Sequence, residues 1–280
     1  MLAPYLLGVA LLIVLPVLLA FGVAFTDYYV VRPPEWNNFR NFPEIFAERL
    51  FWLSARNSIV YILLSVPLRI VGALLLALLL NQRRRGVGFY RAAAYLPTVI
   101  PDVAYALIWL WVLNPYYGPL NQLLGALGLP TPAWLADPRT ALPALALMAV
   151  FQLGEGLVVL LAGRQDIPLE FYEAAALEGA SRWQLARTIT LPLLAPWLLL
   201  LTIRDIILST QSSFTPGYLM TGGQPYYATL FLPMFIHNEA FDRFLFGHAG
   251  AMLLILFLWL GMLLWIVYQV LGGWGYADDV

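Results

Sequence analysis

The sequence predicts an all-α membrane protein with six spans, and three observations predict it. Hydrophobic residues make up 61% of the 280 positions and charged residues 11%, with a mean hydropathy of +0.78, outside the range of soluble domains. Six runs are apolar over about the 20 residues that a hydrocarbon core requires. Between them lie polar islands rich in arginine, glycine and proline. The whole chain, 1–280, reads as one membrane domain without tandem repeats.

Taken in order, Pro4–Phe25 lacks a preceding basic segment and is too apolar for too long to be a secretion signal, so it reads as a retained span. Thr26–Arg56 is polar and aromatic, and Pro33-Pro34 imposes an extended piece. Asn57-Ser58 opens the second span, Ile59–Leu80. The third, Tyr95–Leu113, and the fifth, Ile189–Ser209, are interrupted at their starts by Pro97 and Pro101 and by Pro192 and Pro196. Such breaks survive at membrane depth only where protein or a water cavity satisfies the freed backbone groups. Asn114–Pro119 is a turn, and Leu120–Leu127 a short surface helix ended by Gly128. The fourth span is Ala141–Leu161. A turn cluster at Thr221–Pro225 leads into Phe231–Phe246, an aromatic stretch suited to headgroup depth, and then into the sixth span, Gly247–Leu271.

Absences narrow the chemistry. The chain has no lysine, so it has no P-loop lysine for ATP and no Schiff-base lysine. It has no cysteine, and His237 and His248 are too far apart in sequence for a local zinc pair. No catalytic residue, no metal site and no nucleic-acid partner is expected; the chain reads as a non-enzyme. Orientation follows from arginine. Arg83, Arg84, Arg85 and Arg91 join spans two and three, and Arg164, Arg182 and Arg187 join spans four and five. Basic short loops stay cytoplasmic, which puts both connections and both termini inside. Arg32, Arg40, Arg49 and Arg56 argue the other way, although they are spread along a longer segment.

The island 168–192 has the construction of a docking element. Pro168 suits the first position of a helix, Gly179 can end that helix in the left-handed conformation, and Ser181 with Gln184 forms a capping box that opens a second short helix. Its residues run Glu173-Ala-Ala, three residues, Gly179, nine residues, Ile189, one residue, Leu191-Pro192. This resembles, without a gap, the loop by which permease subunits of binding-protein-dependent ABC importers engage their ATPase. An ordinary cytoplasmic helical hairpin is the plainer reading of an alanine-rich turn, but it does not account for the spacing. Asn57-Ser58, Asn81, Tyr90-Arg91, Leu96-Pro97, Ile108-Trp109, Asn114, Gly118, Asn121, Thr221–Pro225, Ala228-Thr229, Ala240-Phe241 and Gly247 extend the resemblance to the carbohydrate-uptake branch of that family. Gln224 stands where members of the branch commonly carry a third glycine, and the chain begins almost directly in its first span where they carry a cytoplasmic tail.

The resemblance implies a type I ABC importer transmembrane domain in a bacterial or archaeal cytoplasmic (inner) membrane. Its partners would be a second, different permease, two ATP-binding subunits that hold ATP and magnesium, an extracytoplasmic solute-binding protein and membrane lipid. The cargo would be a carbohydrate, with glycerol phosphate or another polar solute as the alternative. An ion-coupled secondary transporter is the opposing class. It would need its own proton or sodium site and no ATPase. The resemblance assigns Glu173, Ala174, Ala175, Gly179, Ile189, Leu191 and Pro192 to ATPase coupling.

Charges inside a membrane are costly and face a bundle interior or a water cavity. Arg69, Asp102, Glu155, Arg204 and Asp205 stand in or beside the spans. Adjacent residues on a helix point about 100° apart, so Arg204 and Asp205 are expected to find partners on other helices rather than each other. Thr202, Asp205, Ser209 and Ser212 recur at spacings of three and four and suggest a polar face on the fifth span, joined by Arg204 and Gln211 as candidate lining for a solute path. Arg69, Asp102 and Glu155 read first as interhelix pairs that hold the bundle together.

Overall fold

The computed structural model describes residues 2–29, 31–82 and 85–272; Arg83 and Arg84 of the basic connection, and both termini, lie outside them. Among the described residues, four helices are long and apolar enough to cross a membrane, and two bent pairs bring the spans to six.

Helix α1 (Ala3–Val23) has no buried residue; its far end packs on the last helix of the chain, Phe21 lying 5.4 Å from Phe257. The Pro33-Pro34 segment turns a two-residue hairpin, β1 (Thr26–Asp27) antiparallel to β2 (Glu35–Trp36), with Thr26 opposite Trp36. Helix α2 (Asn41–Ala47) follows. Helix α3 (Arg49–Leu80) begins at Arg49, not at the Asn57-Ser58 pair. Those two residues lie inside the helix and act on another part of the chain. Asn57 Nδ2 donates to the carbonyls of Tyr227 (2.8 Å) and Leu230 (3.1 Å), and Ser58 Oγ accepts from the Leu232 amide at 2.8 Å. A pair with cap-like chemistry therefore fastens a distant turn.

Helices α4 (Val87–Val99) and α5 (Asp102–Val112) meet at 103° across Ile100-Pro101, so the third span is a sharply bent pair. Ile100 is extended, with ψ 127°, as the ring of a following proline demands. Helix α6 (Pro119–Ala126) is the expected surface helix, and Gly128 takes φ +71°. The fourth span is also two helices, α7 (Ala141–Val150) and α8 (Gly154–Gln165), bent by 43°. No proline announces this break. Tyr105 Oη of α5 donates to Met148 O beside the break at 2.7 Å, adding to the Phe151 amide that the same carbonyl accepts at 3.2 Å.

Helix α9 (Leu169–Leu177) begins one position later than expected, with Pro168 at its N-cap rather than as its first residue. The second docking helix is not a separate short element. It is the start of α10 (Arg182–Thr221), 40 residues long and continuous as far as Ser212, with a turn at Ser213. Pro192 lacks an N–H and its ring would strike the carbonyl four residues back. The wider π turn Ala186–Thr190 just before it absorbs that conflict. The fifth span is therefore continuous through its start rather than broken there. Helix α11 (Leu232–His237) and the turn Asn238–Asp242 bury Phe231, Leu232, Met234, Phe235, Glu239 and Ala240. The stretch expected at headgroup depth is thus largely a folded part of the core, with Phe241 and Phe244 left exposed. Helix α12 (Phe246–Leu271) closes the bundle.

Among the described residues four apolar clusters hold these elements, the smallest being Ile62 and Val66 of α3 with Ile206 of α10. Tyr61, Tyr105, Leu113, Leu145 and Phe231 join α3, α5 and α7 to the segment before α11. Ile45, Phe51, Leu232, Phe235 and Met252 join α2, α3, α11 and α12. Ala73, Ala77, Leu157, Leu160 and Leu201 join α3, α8 and α10. Gly154 and Gly163 set how closely α8 lies against its neighbours. A Cβ at Gly154 would stand 2.7 Å from Tyr95 Cα, and one at Gly163 would stand 2.6 Å from the Trp197 ring. Gly154→Val is expected to lower thermal stability in detergent by about 1–3 kcal/mol through overpacking. Gly261→Ala, where nothing lies within 4 Å, should leave the melting temperature unchanged or raised.

Candidate functional site

Both bent spans restart a helix at the same cavity. Its volume is about 260 Å³, and its lining includes Arg69, Thr98, Asp102, Gln152, Glu155, Arg204, Gln211 and Ser212. Asp102 is the first residue of α5 and Glu155 lies in the first turn of α8. Helix N-termini carry partial positive charge and favour a carboxylate there. Each break therefore does two things: it opens space, and it places an acidic group where its own helix supports the charge.

Behind the lining runs a chain of ion pairs. Arg69 Nε lies 3.2 Å from Asp205 Oδ2; this is a charge contact without hydrogen-bond alignment. Arg69 Nη2 donates to Ser209 Oγ at 2.6 Å and reaches Asp205 O at 3.4 Å. Arg204 Nη1 donates to Asp205 Oδ1 at 3.1 Å and its other nitrogen pairs with Glu155. Arg69, Asp205 and Ser209 are 7%, 6% and 1% exposed. Helices α3, α8 and α10 are thus tied by Arg69–Asp205–Arg204–Glu155. Arg204 and Asp205 each find the expected partner on another helix, Glu155 and Arg69, but they also pair with each other, because the long arginine side chain curls back onto its neighbour while still reaching α8.

The predicted polar face of α10 is divided by this arrangement. Arg204, Gln211 and Ser212 face the cavity. Asp205 and Ser209 are turned inward to hold Arg69. Thr202 is elsewhere: its hydroxyl donates to Leu198 O at 2.7 Å, and it borders an apolar groove with Val66, Pro67, Ile206 and Leu263. Glu155 and Arg69 are both paired and part of the lining. Among the described residues Asp102 has no cationic partner. Thr98 and Gln152 complete the wall. The sequence signal for Asp102 was Pro101-Asp102, a proline and an acid at a helix start; Thr98 carried none.

The second site is the loop 168–192. Helix α9 ends in a Schellman arrangement: Ala180 N donates to Ala175 O (3.0 Å), Gly179 N donates to Ala176 O (3.1 Å), and Gly179 has φ +80°. Ser181 and Gln184 form the reciprocal capping box of α10. Tyr172 Oη lies 2.9 Å from Thr190 Oγ1, so α9 is clamped to α10, and the Arg164 guanidinium sits 4.0 Å above the Tyr172 ring. Glu173, Ala174 and Gly179 are exposed and Ala175 is half-buried, as are Ile189 and Leu191. Leu169, Phe171, Leu177 and Trp183 stand 67%, 52%, 91% and 71% exposed around them. Exposed apolar side chains grouped in this way mark a contact with another protein or with membrane.

A buried ion pair is costly to break from one side. Asp205→Ala leaves the Arg69 charge unpaired in the bundle and is expected to cost about 3–5 kcal/mol of stability, whereas Arg69→Met with Asp205→Leu should recover most of it. Thermal unfolding of the two purified variants beside the wild type reads the difference; equal losses in the single and double variants would refute the pairing.

Residues 58–273 match the family model of the "Binding-protein-dependent transport system inner membrane component". Similar proteins include a probable ABC transporter permease protein, YesP, of Bacillus subtilis, 32% identical over 99% of this chain and 91% of that protein. They also include the trehalose/maltose transport system permease protein MalF of Thermococcus litoralis, 33% identical over 85% of this chain and 81% of that protein. The sulfoquinovosyl glycerol transport system permease protein SmoG of Agrobacterium fabrum is 31% identical over 92% and 84%. Among solved structures, a chain of a bacterial ABC transporter involved in the import of the acidic polysaccharide alginate has the same fold, with a TM-score of 0.84 at 22% identity over 96% of this chain and 93% of that one.

Proposed function

The chain belongs to the inner membrane components of binding-protein-dependent transport systems, and from that premise we propose that it is one of two permease subunits of an ATP-driven carbohydrate importer. The second permease is a different chain, two ATPase subunits hold ATP and magnesium, and an extracytoplasmic binding protein delivers the sugar. The chain itself hydrolyses nothing. It lies in a bacterial or archaeal inner membrane with its termini and the loop 168–192 on the cytoplasmic side. Relatives whose names specify trehalose/maltose and sulfoquinovosyl glycerol transport support a sugar cargo.

One observation carries the mechanism: the exposed corner at Gly179 leads straight into α10, which is continuous from Arg182 to Ser212. At about 1.5 Å per residue this is a rod of roughly 45 Å. It places the docking corner and the cavity residues Arg204, Gln211 and Ser212 on one rigid body. Closure of the ATPases on ATP moves α9 and the start of α10, and the same helix carries that displacement to the cavity wall. Arg204 bridges α10 to α8 through Glu155, so the movement alters the opposite wall as well. For a sugar the wall offers hydroxyl, amide and carboxylate partners. Both of its guanidinium groups already face carboxylates, which disfavours a phosphate cargo such as glycerol phosphate.

Gly179→Leu forces a branched side chain into the left-handed region at a strain of about 1–2 kcal/mol. It is expected to uncouple ATP turnover from transport, or to release the ATPase, with the bundle intact. Transport and ATPase assays on the reconstituted complex test this, and normal coupling would sink the assignment. At the cavity, Gln211→Ala with Ser212→Ala should lower sugar transport at least several-fold while ATPase subunits stay bound. Thr202→Val, outside the cavity, should leave it near wild type; equal effects of both changes would show that the α10 polar residues serve packing.

A further inference from the structure

A larger cavity, of about 870 Å³, lies at the end of the molecule that carries the docking corner. It is lined by Asn81 and Gln82 at the end of α3, Gly88 and Arg91 on α4, and Arg164 and Gln165 at the end of α8, with Val87, Ile167, Pro168 and Leu169 forming its apolar side. Its lining contains two guanidinium groups and three side-chain amides and no carboxylate. Some arginines elsewhere in the structure are paired with acids. Arg40, Arg69, Arg204 and Arg243 each contact an acidic side chain within 4.0 Å. Among the described residues Arg91 and Arg164 contact none.

Both arginines are nevertheless held in place. Arg91 donates through Nε (3.2 Å) and Nη2 (2.7 Å) to Leu80 O at the end of α3, which leaves Nη1 for a ligand. Arg164 rests with its face on Tyr172 at 4.0 Å, which leaves the edge of its guanidinium, where all five N–H donors point. Fixed guanidinium edges with amide donors beside them match the oxygens of a phosphate group.

We propose that this cavity binds a phosphate-bearing ligand of net negative charge, held by Arg91 and Arg164. Two sources share that chemistry. One is the headgroup of an anionic phospholipid, which fits the position of the cavity where three membrane helices end and the apolar strip of Val87, Ile167 and Leu169 beside the donors. The other is a soluble phosphate compound. In either case the ligand reaches the docking corner through two contacts: Arg164 on Tyr172, and Tyr172 on Thr190 of α10. Its occupancy therefore stiffens the loop on which the proposed coupling rests, although binding itself does not depend on that reading.

The test uses the whole transporter complex in nanodiscs of phosphatidylcholine alone or of equal parts phosphatidylcholine and phosphatidylglycerol. Bound lipid is counted by native mass spectrometry, and sugar-stimulated ATPase activity is read in parallel. The wild type should retain phosphatidylglycerol and show higher coupled activity in the mixed discs. Arg91→Gln and Arg164→Gln should each weaken retention by about 5-fold. Because Arg91 also caps α3, Arg164→Gln is the variant that isolates the ligand contact. Glycerol 3-phosphate added to phosphatidylcholine discs distinguishes the soluble source: stimulation there, lost in Arg164→Gln, identifies a soluble phosphate instead. Retention and activity that are the same for both discs, with glycerol 3-phosphate and in both variants overturn the proposal. Retention without sugar-stimulated activity in any disc would preserve the site and count instead against the importer assignment.

Discussion

A guanidinium inside an apolar bundle has to be neutralised where it stands, and Arg69 imposes that requirement on three helices at once. It is 7% exposed, and its charge is met by Asp205 while Ser209 takes one of its donors. Both partners are on α10. Asp205 in turn fixes Arg204, and Arg204 meets Glu155 on α8. Removing a charge from water costs several kcal/mol per ion, which the partner's attraction offsets only when the geometry is held. The geometry here is held by close helix packing: Ala73 and Ala77 of α3 are buried among Leu157, Leu160 and Leu201, and Gly156 lies against Ala73. Small residues bring the backbones together, and the ion chain fixes their register.

The bent spans follow from the same economy of polar groups. A helix that stops inside hydrocarbon leaves carbonyls and amides without partners. At the α4–α5 bend the restart begins with Asp102; at the α7–α8 bend it begins with Gly154 and Glu155. Gly154 permits α4 to approach within contact of its backbone, so the two breaks face one another rather than lying at random depths. The cavity is the space between them. Its polarity is a consequence of helix ends, and the side chains Thr98, Gln152, Gln211 and Ser212 extend a surface that the backbone had already made hydrophilic.

What could be read in the sequence was whatever acts locally. The Schellman end at Gly179 and the capping box at Ser181 involve residues within six positions of each other, so their geometry is written in consecutive letters. The α4–α5 bend was announced by Pro97 and Pro101. The α7–α8 break was not, because it depends on the approach of α4 to Gly154 and on Tyr105 reaching Met148 O, contacts between segments distant in sequence. Asn57-Ser58 resembled a helix start for the same reason: its partners, Tyr227, Leu230 and Leu232, lie some 170 positions away. The polar period on α10 was visible, but period alone cannot say which polar residue faces a cavity and which faces Arg69. Thr202 shows the limit most plainly. Its hydroxyl is satisfied by Leu198 O on its own helix, so nothing prevents it from facing an apolar groove.

The continuous course of α10 from Arg182 to Ser212 bears on how two distant sites can be coupled at all. Coupling across a membrane requires an element that moves as one body and has neighbours that can let go. Pro192 should have kinked that element near its start, which would have let the docking corner swing without moving the cavity. The π turn at Ala186–Thr190 absorbs the proline without a break, and Tyr172–Thr190 ties α9 to the helix within that turn. The corner is thereby made rigid towards α10. At the other end the contacts differ in kind. Arg69–Asp205 is buried and costly to part, whereas Arg204 and Glu155 are 34% and 47% exposed at the cavity, where water can replace each partner. Under the coupling proposed above, a push along α10 would meet a firm hold on α3 and a weaker one at Glu155 of α8.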